Sequence, residues 1–392
     1  MNDFQFYSPT EFVFGKGAEK DAGKYVRKHG GSKVLLHYGG GSAIRSGLLD
    51  RVKQSLEASG LAYVELGGVK PNPRDTLVYE GIALCRAEQV DFILAVGGGS
   101  VIDSSKAIAM GVPYDGDFWD FYTGKSPEAA LPVATVLTIA AAGSEGSGDS
   151  VITKEADGLK RGAGSDLIRP RFSILNPGLT CTLPPYQTAC GATDIMAHVF
   201  ERYFTNTTEV EITDRLCEAV LLTMIHETPR VIAEPDNYQA RANIMWAGTV
   251  AHTNIVGVGR EQDWNSHGIE HELSALYDCA HGAGLAVIMP AWMEFVCKHD
   301  VMRFAQAAVR VWGCQMNFAD PEQTAREGIR RFRQFLHSIG MPVNFAELGA
   351  KKEDIPALVE KFGLGDGRTG GFVKLSSADV ATIYEIAAEA SL

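Results

Sequence analysis

Nowhere does the chain hold the roughly 18 to 20 consecutive apolar residues that a membrane-spanning helix needs. Its longest weakly polar stretch, Leu131 to Gly143, is interrupted by Pro132, Thr135 and Thr138. The N-terminus, MNDFQFYSPTEFVFGKG, lacks the charged start, apolar core and small-residue cleavage site of a secretory leader. The seven cysteines are scattered, with no Cys-x-x-Cys pair, as expected of buried thiols in a reducing compartment. A cytoplasmic location is therefore expected, with no membrane partner. Positive charge is also scarce: 36 Lys and Arg against 48 Asp and Glu give a net charge of −12. That balance excludes a phosphate-backbone binder and hence nucleic acid as a partner, while leaving room for a local basic pocket. Internal repeats, low-complexity tracts and disordered linkers are absent as well.

What is present is an ordinary globular composition, 45% apolar and 21% charged over 392 residues, enough for two or three domains. Up to about residue 180, β-rich runs alternate with amphipathic stretches. Lys33–Tyr38, Ala62–Leu66, Phe92–Val96, Val133–Leu137 and Phe172–Leu175 read as strands. Ser46–Ala58, Thr76–Glu88 and Val101–Met110 have helical spacing. This alternation predicts a parallel sheet covered on both faces. After Leu183-Pro184-Pro185 the rhythm changes, and Tyr186–Phe204, Val210–Ile232, Tyr238–Thr253, His267–Tyr277 and Asp320–Ile339 all show helical periodicity. The expected architecture is an α/β domain over 1–183 and an all-helical domain over 184–392, with pocket residues at the cleft between them.

Two strands run straight into glycine turns, Gly39-Gly40-Gly41-Ser42 and Gly97-Gly98-Gly99-Ser100, and a third turn spans Gly143 to Gly148. Glycine lets the backbone approach a ligand, and the N–H groups of a following helix start favour a pyrophosphate. Gly97 to Lys106 does not meet G-x-x-x-x-G-K-[ST], and no turn gives a clean G-x-G-x-x-G at the first strand. Any single turn is equally a tight βα connection, but three at strand ends predict a Rossmann-like dinucleotide site. Where NAD-preferring enzymes commonly place a carboxylate, this chain has Gly39, with Ser42 and Arg45 nearby. NADP(H) is therefore expected over NAD(H).

Asp194 and His198 lie four apart in DIMAHVFERY, and His267 and His271 repeat that spacing in SHGIEHELSALYD. Residues i and i+4 share a helix face. With His281, five candidate ligands fall on two or three helices. One carboxylate with neutral imidazoles suits Zn²⁺ or Fe²⁺ and not Ca²⁺ or Mg²⁺. Cys190 and Cys279, the nearest thiols, have no partner at ligand spacing, and a Cys-free site suits catalysis over structure. Spacing leaves open which histidine is not a ligand. His37, His252 and His299 read as ordinary core or surface histidines.

The segments GGGSVIDSSKAIA, AAAGSEGSGDSVIT, DIMAHVFERYF and DWNSHGIEHELSALYDCAHGAGLAVIMPAWM give the chain a clear relationship. It resembles the iron-containing (group III) alcohol dehydrogenase family over nearly its whole length, in particular the NADPH-dependent butanol dehydrogenase and aldehyde reductase branch. The resemblance implies a dinucleotide-binding N-terminal domain, a helical metal-binding domain and a homodimer. It implies Asp194, His198, His267 and His281 as metal ligands and His271 as a proton relay near the substrate. It also implies cofactor contacts at Gly39, Gly40, Gly41, Ser42, Asn72, Gly97, Gly98, Gly99, Ser100, Thr138, Ser144 and Lys160. Asp103 matches a motif aspartate with a helix-start or packing role open to it. Asn176-Pro177 stands where Asp-Pro is usual, and the segment from Thr138 to Ser144 is poorer in hydroxyls than in many relatives.

The expected reaction is hydride transfer between NADP(H) and a short aliphatic alcohol or aldehyde, with one Fe²⁺ or Zn²⁺ polarising the carbonyl. Ile269, Trp264, Phe204, Tyr203 and Trp292 are candidates for an apolar substrate pocket. A sugar-phosphate polyol dehydrogenase or cyclising synthase is disfavoured, because Arg260 is the one Lys or Arg between 260 and 290. A hydrolase using Glu270 or Glu272 as base would leave the glycine turns without a task.

Overall fold

A computed structural model describes residues 1–392. The chain divides into two compact units: Tyr7–Leu183 with Asp236–Thr253, and Met1–Phe6 with Pro184–Pro235 and Asn254–Leu392. The join near 183 is where the sequence rhythm changes, but two segments lie across it. The helix Tyr238–His252 belongs to the α/β unit, because its apolar side chains find their partners there. Trp246 meets Phe12 edge to face at 5.7 Å, Thr249 donates to Glu145 at 2.6 Å, and Met245 packs with Val69, Leu137 and Leu175. Helical periodicity shows that a stretch has an apolar face but not which core takes it.

The α/β unit holds β1 (Glu11–Phe14), β2 (Lys33–Gly39), β3 (Ala62–Val69), β4 (Phe92–Gly97), β5 (Val133–Leu137) and β8 (Phe172–Leu175) in one sheet. Every pairing is parallel and the order is β1-β8-β5-β4-β2-β3. β4 is buried along its whole length, which is why FILAV reads as a continuous apolar run without alternation. Period-two geometry sorts its side chains: Phe92, Leu94 and Val96 join Val34 and Leu36 on one face, with Val26 and Val52 from helices. Ile93 joins Leu35 and Val133 on the other, against Val78, Ile82 and Ile108.

The expected strands are all found, and β1 falls in the N-terminal segment MNDFQFYSPTEFVFGKG, which has a short alternating strand pattern. An antiparallel hairpin of β6 (Asp149–Lys154) and β7 (Leu159–Gly164) was not foreseen. LKRGAG carries two glycines and two cations in six residues, so no strand signal rises from it.

The second unit is helical. Its centre is the helix His281–Val296, buried at every residue from Gly282 to Met293. Pro185–Tyr203, Asn265–Tyr277, Pro321–Ser338 and Ser377–Glu389 pack around it. Local chemistry fixes the ends: Pro185 takes the first turn of its helix, Asp320 caps the helix opened by Pro321, and Ser376 and Asp379 form a reciprocal capping box. No helix is long and apolar enough to cross a membrane.

Candidate metal centre and cofactor turns

Three helices of the second unit carry the predicted ligands. Asp194 and His198 lie one turn apart on Pro185–Tyr203, and His267 and His271 one turn apart on Asn265–Tyr277. Asp278 then adopts a left-handed conformation (φ 49°), ending that helix, and His281 opens the next. Gly282 lets this helix start press onto its neighbour, since a Cβ there would lie 2.0 Å from the Cys190 carbonyl oxygen. Cys190 is one turn before Asp194, so the close approach delivers His281 to the carboxylate.

The ligand atoms of Asp194, His267 and His281 all lie within 4.8 Å of one another. His267 Nε2 is 3.7 Å and His281 Nε2 3.8 Å from Asp194 Oδ1. A four-coordinate ion with bonds of about 2.1 Å would space its ligands by about 3.4 Å, close to what is seen. His198 borders this cluster, its Nδ1 3.0 Å from Asp194 Oδ1 and its ring centroid 4.4 Å from that of His267. His271 belongs to a different triplet, with Glu270 and His281.

Asp194 Oδ1 and His267 Nε2 are both buried and form no hydrogen bond. Two orphaned polar atoms at one point are costly unless a cation joins them, so the donor set fits a divalent metal. The electrostatics agree. Burial opposes ionisation of Asp194, but His198, His267 and His281 outweigh it and hold its carboxyl well below the usual range. Burial likewise disfavours charge on His267, yet the carboxylates of Asp194 and Glu201 outweigh it and raise its pKa to about 9, so the surroundings favour a cation at this point.

The imidazoles are held from behind. His198 Nδ1 lies 2.9 Å from the Asp194 carbonyl oxygen and His267 Nδ1 3.0 Å from Glu201 Oε1, while His281 Nδ1 contacts Glu270 Oε2. All three partners accept, so each Nδ1 carries the proton and each Nε2 keeps its lone pair for a metal. Neither glutamate was singled out in this role from sequence. Glu201 was legible, seven residues after Asp194 and three after His198 on the same helix face; Glu270 depends on a helix that follows it. The apolar candidates also resolve. Tyr203, Phe204, Ile269 and Trp292 are at most 1% exposed and belong to the core, whereas Trp264 is 37% exposed and stands edge-on to His198 and His267.

In the α/β unit the glycine turns follow β2 and β4, adjacent strands on either side of the point where strand order reverses, the usual ligand edge of an open parallel sheet. No side chain caps the helix Gly99–Gly111, and since Val101 and Ile102 donate to the Gly98 carbonyl, the N–H groups of Gly99 and Ser100 are the ones placed for an anion. Gly40 has nothing within 4 Å of where a Cβ would stand, and Gly99 meets only Ala142 at 3.7 Å. Gly97 and Gly98 are close-packed instead, at 2.4 Å from Val101 and 2.2 Å from Ile139. Ser42 and Arg45 are exposed beside Gly41. Thr138 continues the β5 edge by donating to the Gly97 carbonyl at 3.0 Å, and Lys160 donates to buried Asn72 at 3.1 Å.

The third glycine turn serves packing: Gly143, Gly146 and Gly148 would each bring a Cβ within 2.8 Å of a neighbour. Ser144 sits in a buried network, donating to Asp103 at 2.6 Å and accepting from Lys106 at 2.8 Å. Asp103 also accepts from the Val151 N–H at 3.0 Å, a helix-to-hairpin tie with no helix-start role. Asn176 donates through Nδ2 to buried Glu19 at 2.8 Å, a bond that aspartate in its place could not make.

Comparison with known proteins follows the same division. The model described as iron-containing alcohol dehydrogenase matches residues 9–177, and that for the C-terminal part of the Fe-containing alcohol dehydrogenase family matches 188–388. A probable NADH-dependent butanol dehydrogenase 1 of Bacillus subtilis is 42% identical, with 98% of this chain and 99% of that one covered. The NADPH-dependent aldehyde reductase YqhD of Escherichia coli is 39% identical over 92% of this chain and 93% of its own. A crystal structure of NADH-dependent butanol dehydrogenase A from Thermotoga maritima superposes with a TM-score of 0.96 at 40% identity, covering 99% of both chains.

Proposed function

Because the chain belongs to the iron-containing alcohol dehydrogenase family, we propose that it interconverts short aliphatic aldehydes and alcohols with NADP(H), using one divalent metal. The observation that carries this reading is the pair of buried, unbonded atoms Asp194 Oδ1 and His267 Nε2 aimed at one point. Asp194, His198, His267 and His281 would hold the ion. One carboxylate and three neutral imidazoles leave it about one unit of positive charge, so when bound it supplies Lewis acidity toward a carbonyl oxygen. The nicotinamide supplies the hydride.

The remaining work falls to the chain. Asp194 anchors the cation, and the Nδ1 acceptors keep the three imidazoles in the ligand tautomer. Trp264 provides an apolar wall beside the metal ligands. His271, partly exposed with its ring 5.7 Å from that of His281, is the proposed proton relay. In the reductive direction it passes a proton to the substrate oxygen, so that aldehyde, hydride and proton together give the alcohol. Gly39 to Ser42, Gly97 to Ser100, Asn72, Thr138, Ser144 and Lys160 are the proposed cofactor contacts. The native metal is proposed to be Fe²⁺ or Zn²⁺, and the working form a cytoplasmic homodimer.

Preference for NADP(H) rests on the absence of a carboxylate at Gly39 and on exposed Ser42 and Arg45. The NADH dependence named for the Bacillus and Thermotoga relatives favours the second reading, NAD(H). Oxidation of each cofactor, followed at 340 nm with butanal and a panel of aldehydes, separates them: a higher kcat/KM for NADPH supports the proposal. A higher value for NADH overturns the preference, and no turnover across the panel overturns the dehydrogenase reading.

A further inference from the structure

The helical unit buries two carboxyl groups that neither face the proposed metal nor join a surface ion pair. Glu201 and Glu270 are both 0% exposed. Each has been brought to the back of a different histidine. Glu201 Oε1 accepts from His267 Nδ1 and from the His267 backbone N–H, both at 3.0 Å, and from the Ser266 hydroxyl. Its other oxygen is buried and makes no hydrogen bond. A carboxyl serving only to tie helices together would be expected to use both oxygens, because burying a bare one is costly.

Glu270 shows the same design with a more specific accommodation. One oxygen accepts from Ser274 and the other contacts His281 Nδ1. A Cβ on Gly284 would stand 2.4 Å from Glu270 Oε1, so this carboxyl occupies space that only a glycine leaves open. His281 and Gly284 are three residues apart on one helix, neighbours on one face. The gap therefore opens beside the histidine that the carboxyl must reach.

We propose that Glu270, seated in the gap at Gly284, and Glu201 are positioning residues that orient His281 and His267 and thereby set metal affinity. The inference rests on the metal reading above. An imidazole whose Nδ1–H is held by a carboxylate presents Nε2 as a lone pair of fixed direction and raised basicity. His198 differs, since its Nδ1 lies 2.9 Å from the carbonyl and 3.0 Å from the carboxylate of the proposed ligand Asp194 itself. The cation is thus gripped through one direct carboxylate and two more acting through imidazoles. Loss of a partner of this kind weakens metal binding by about 10- to 100-fold in known sites.

The test uses the full-length protein, stripped of metal and titrated with Zn²⁺ against a chromophoric chelator. Glu270→Ala and Glu201→Ala should each raise the Zn²⁺ Kd by about 10- to 100-fold. Glu270→Gln, which keeps an acceptor but not the charge, should fall between wild type and alanine. Gly284→Ala leaves the carboxyl in the sequence but closes its seat, and should weaken Zn²⁺ in the same direction. Substitution with Co²⁺ adds a signature that a packing role would not move: the visible d–d bands should shift in the glutamate variants. Far-UV circular dichroism and the thermal unfolding midpoint should be unchanged and identify any variant that has failed to fold. A wild-type chain that binds one Zn²⁺ while Glu270→Gln and Gly284→Ala hold it within twofold of the same Kd overturns this inference alone. A wild-type chain that binds no Zn²⁺ overturns the metal reading and this inference with it.

Discussion

His37 should make the α/β unit acid-sensitive in a way that one substitution removes. It is a β2 residue with 0% exposure, its Nδ1 donating to the Leu66 carbonyl at 2.7 Å and its Nε2 accepting from the Ser104 hydroxyl at 2.9 Å. Both bonds suit the neutral ring, and burial pushes its pKa from 6.5 down to about 4, with the Leu66 bond opposing. In the unfolded chain the ring takes its proton near 6.5; in the folded chain it waits until about 4. Between those values the unfolded state binds more protons, so acid favours unfolding. The contribution is intact above pH 6.5 and is lost as pH falls toward 4. A gap of 6.5 − 4 = 2.5 units corresponds to about 3.4 kcal/mol in full, of which about 2 kcal/mol is lost by pH 5. For a unit of this size that is about 4 to 8 °C in Tm. His37→Gln can keep a donor toward Leu66 and an acceptor toward Ser104 without titrating. Thermal unfolding of both proteins at pH 7.5 and 5.0, followed by circular dichroism, measures the difference. Wild type should lose more Tm on acidification than the variant, by that amount. Parallel losses would refute the assignment of His37 as a buried neutral histidine.

Other perturbations follow from the same geometry. Lys106, 0% exposed, donates to the carbonyls of Ser144, Ser147 and Asp149 at 2.7 to 2.9 Å, so Lys106→Met should cost about 3–5 kcal/mol in urea denaturation, and a loss under about 1 kcal/mol contradicts it. Gly282→Ala forces a Cβ to 2.0 Å from the Cys190 carbonyl; it should cost about 1–3 kcal/mol and reduce bound metal, measured by elemental analysis. Gly39→Asp fits sterically, its Cβ 3.5 Å from the Val69 carbonyl oxygen, and should lower the NADPH-to-NADH ratio of kcat/KM by about tenfold or more. An unchanged ratio would remove Gly39 from the basis of cofactor preference.

The parts of this molecule legible in sequence are those set by local spacing. Asp194, His198, His267 and His271 announce themselves because four residues make one helical turn. The sheet is equally plain, since FILAV and KVLLHY are too apolar to be anything but interior strands. What could not be read depends on partners brought in from elsewhere in the chain. Separating His271 from the Asp194 cluster needs the Asp278 turn and the seating of Gly282 on Cys190. Tyr203, Phe204, Ile269 and Trp292 look like pocket residues by type, but the helices turn them into the core and leave Trp264 beside the histidines. Likewise, Gly40 and Gly146 are indistinguishable as letters. One stands under open space and the other against Thr253 and Phe12.

The most direct test of the central claim is an anaerobic titration of the metal-stripped chain with Fe²⁺ or Zn²⁺, following NADPH-dependent butanal reduction. If the metal reading holds, activity rises with added metal and levels off at one equivalent per chain, and Asp194→Ala gains none. Full activity in the stripped protein, or restored activity in Asp194→Ala, would contradict it.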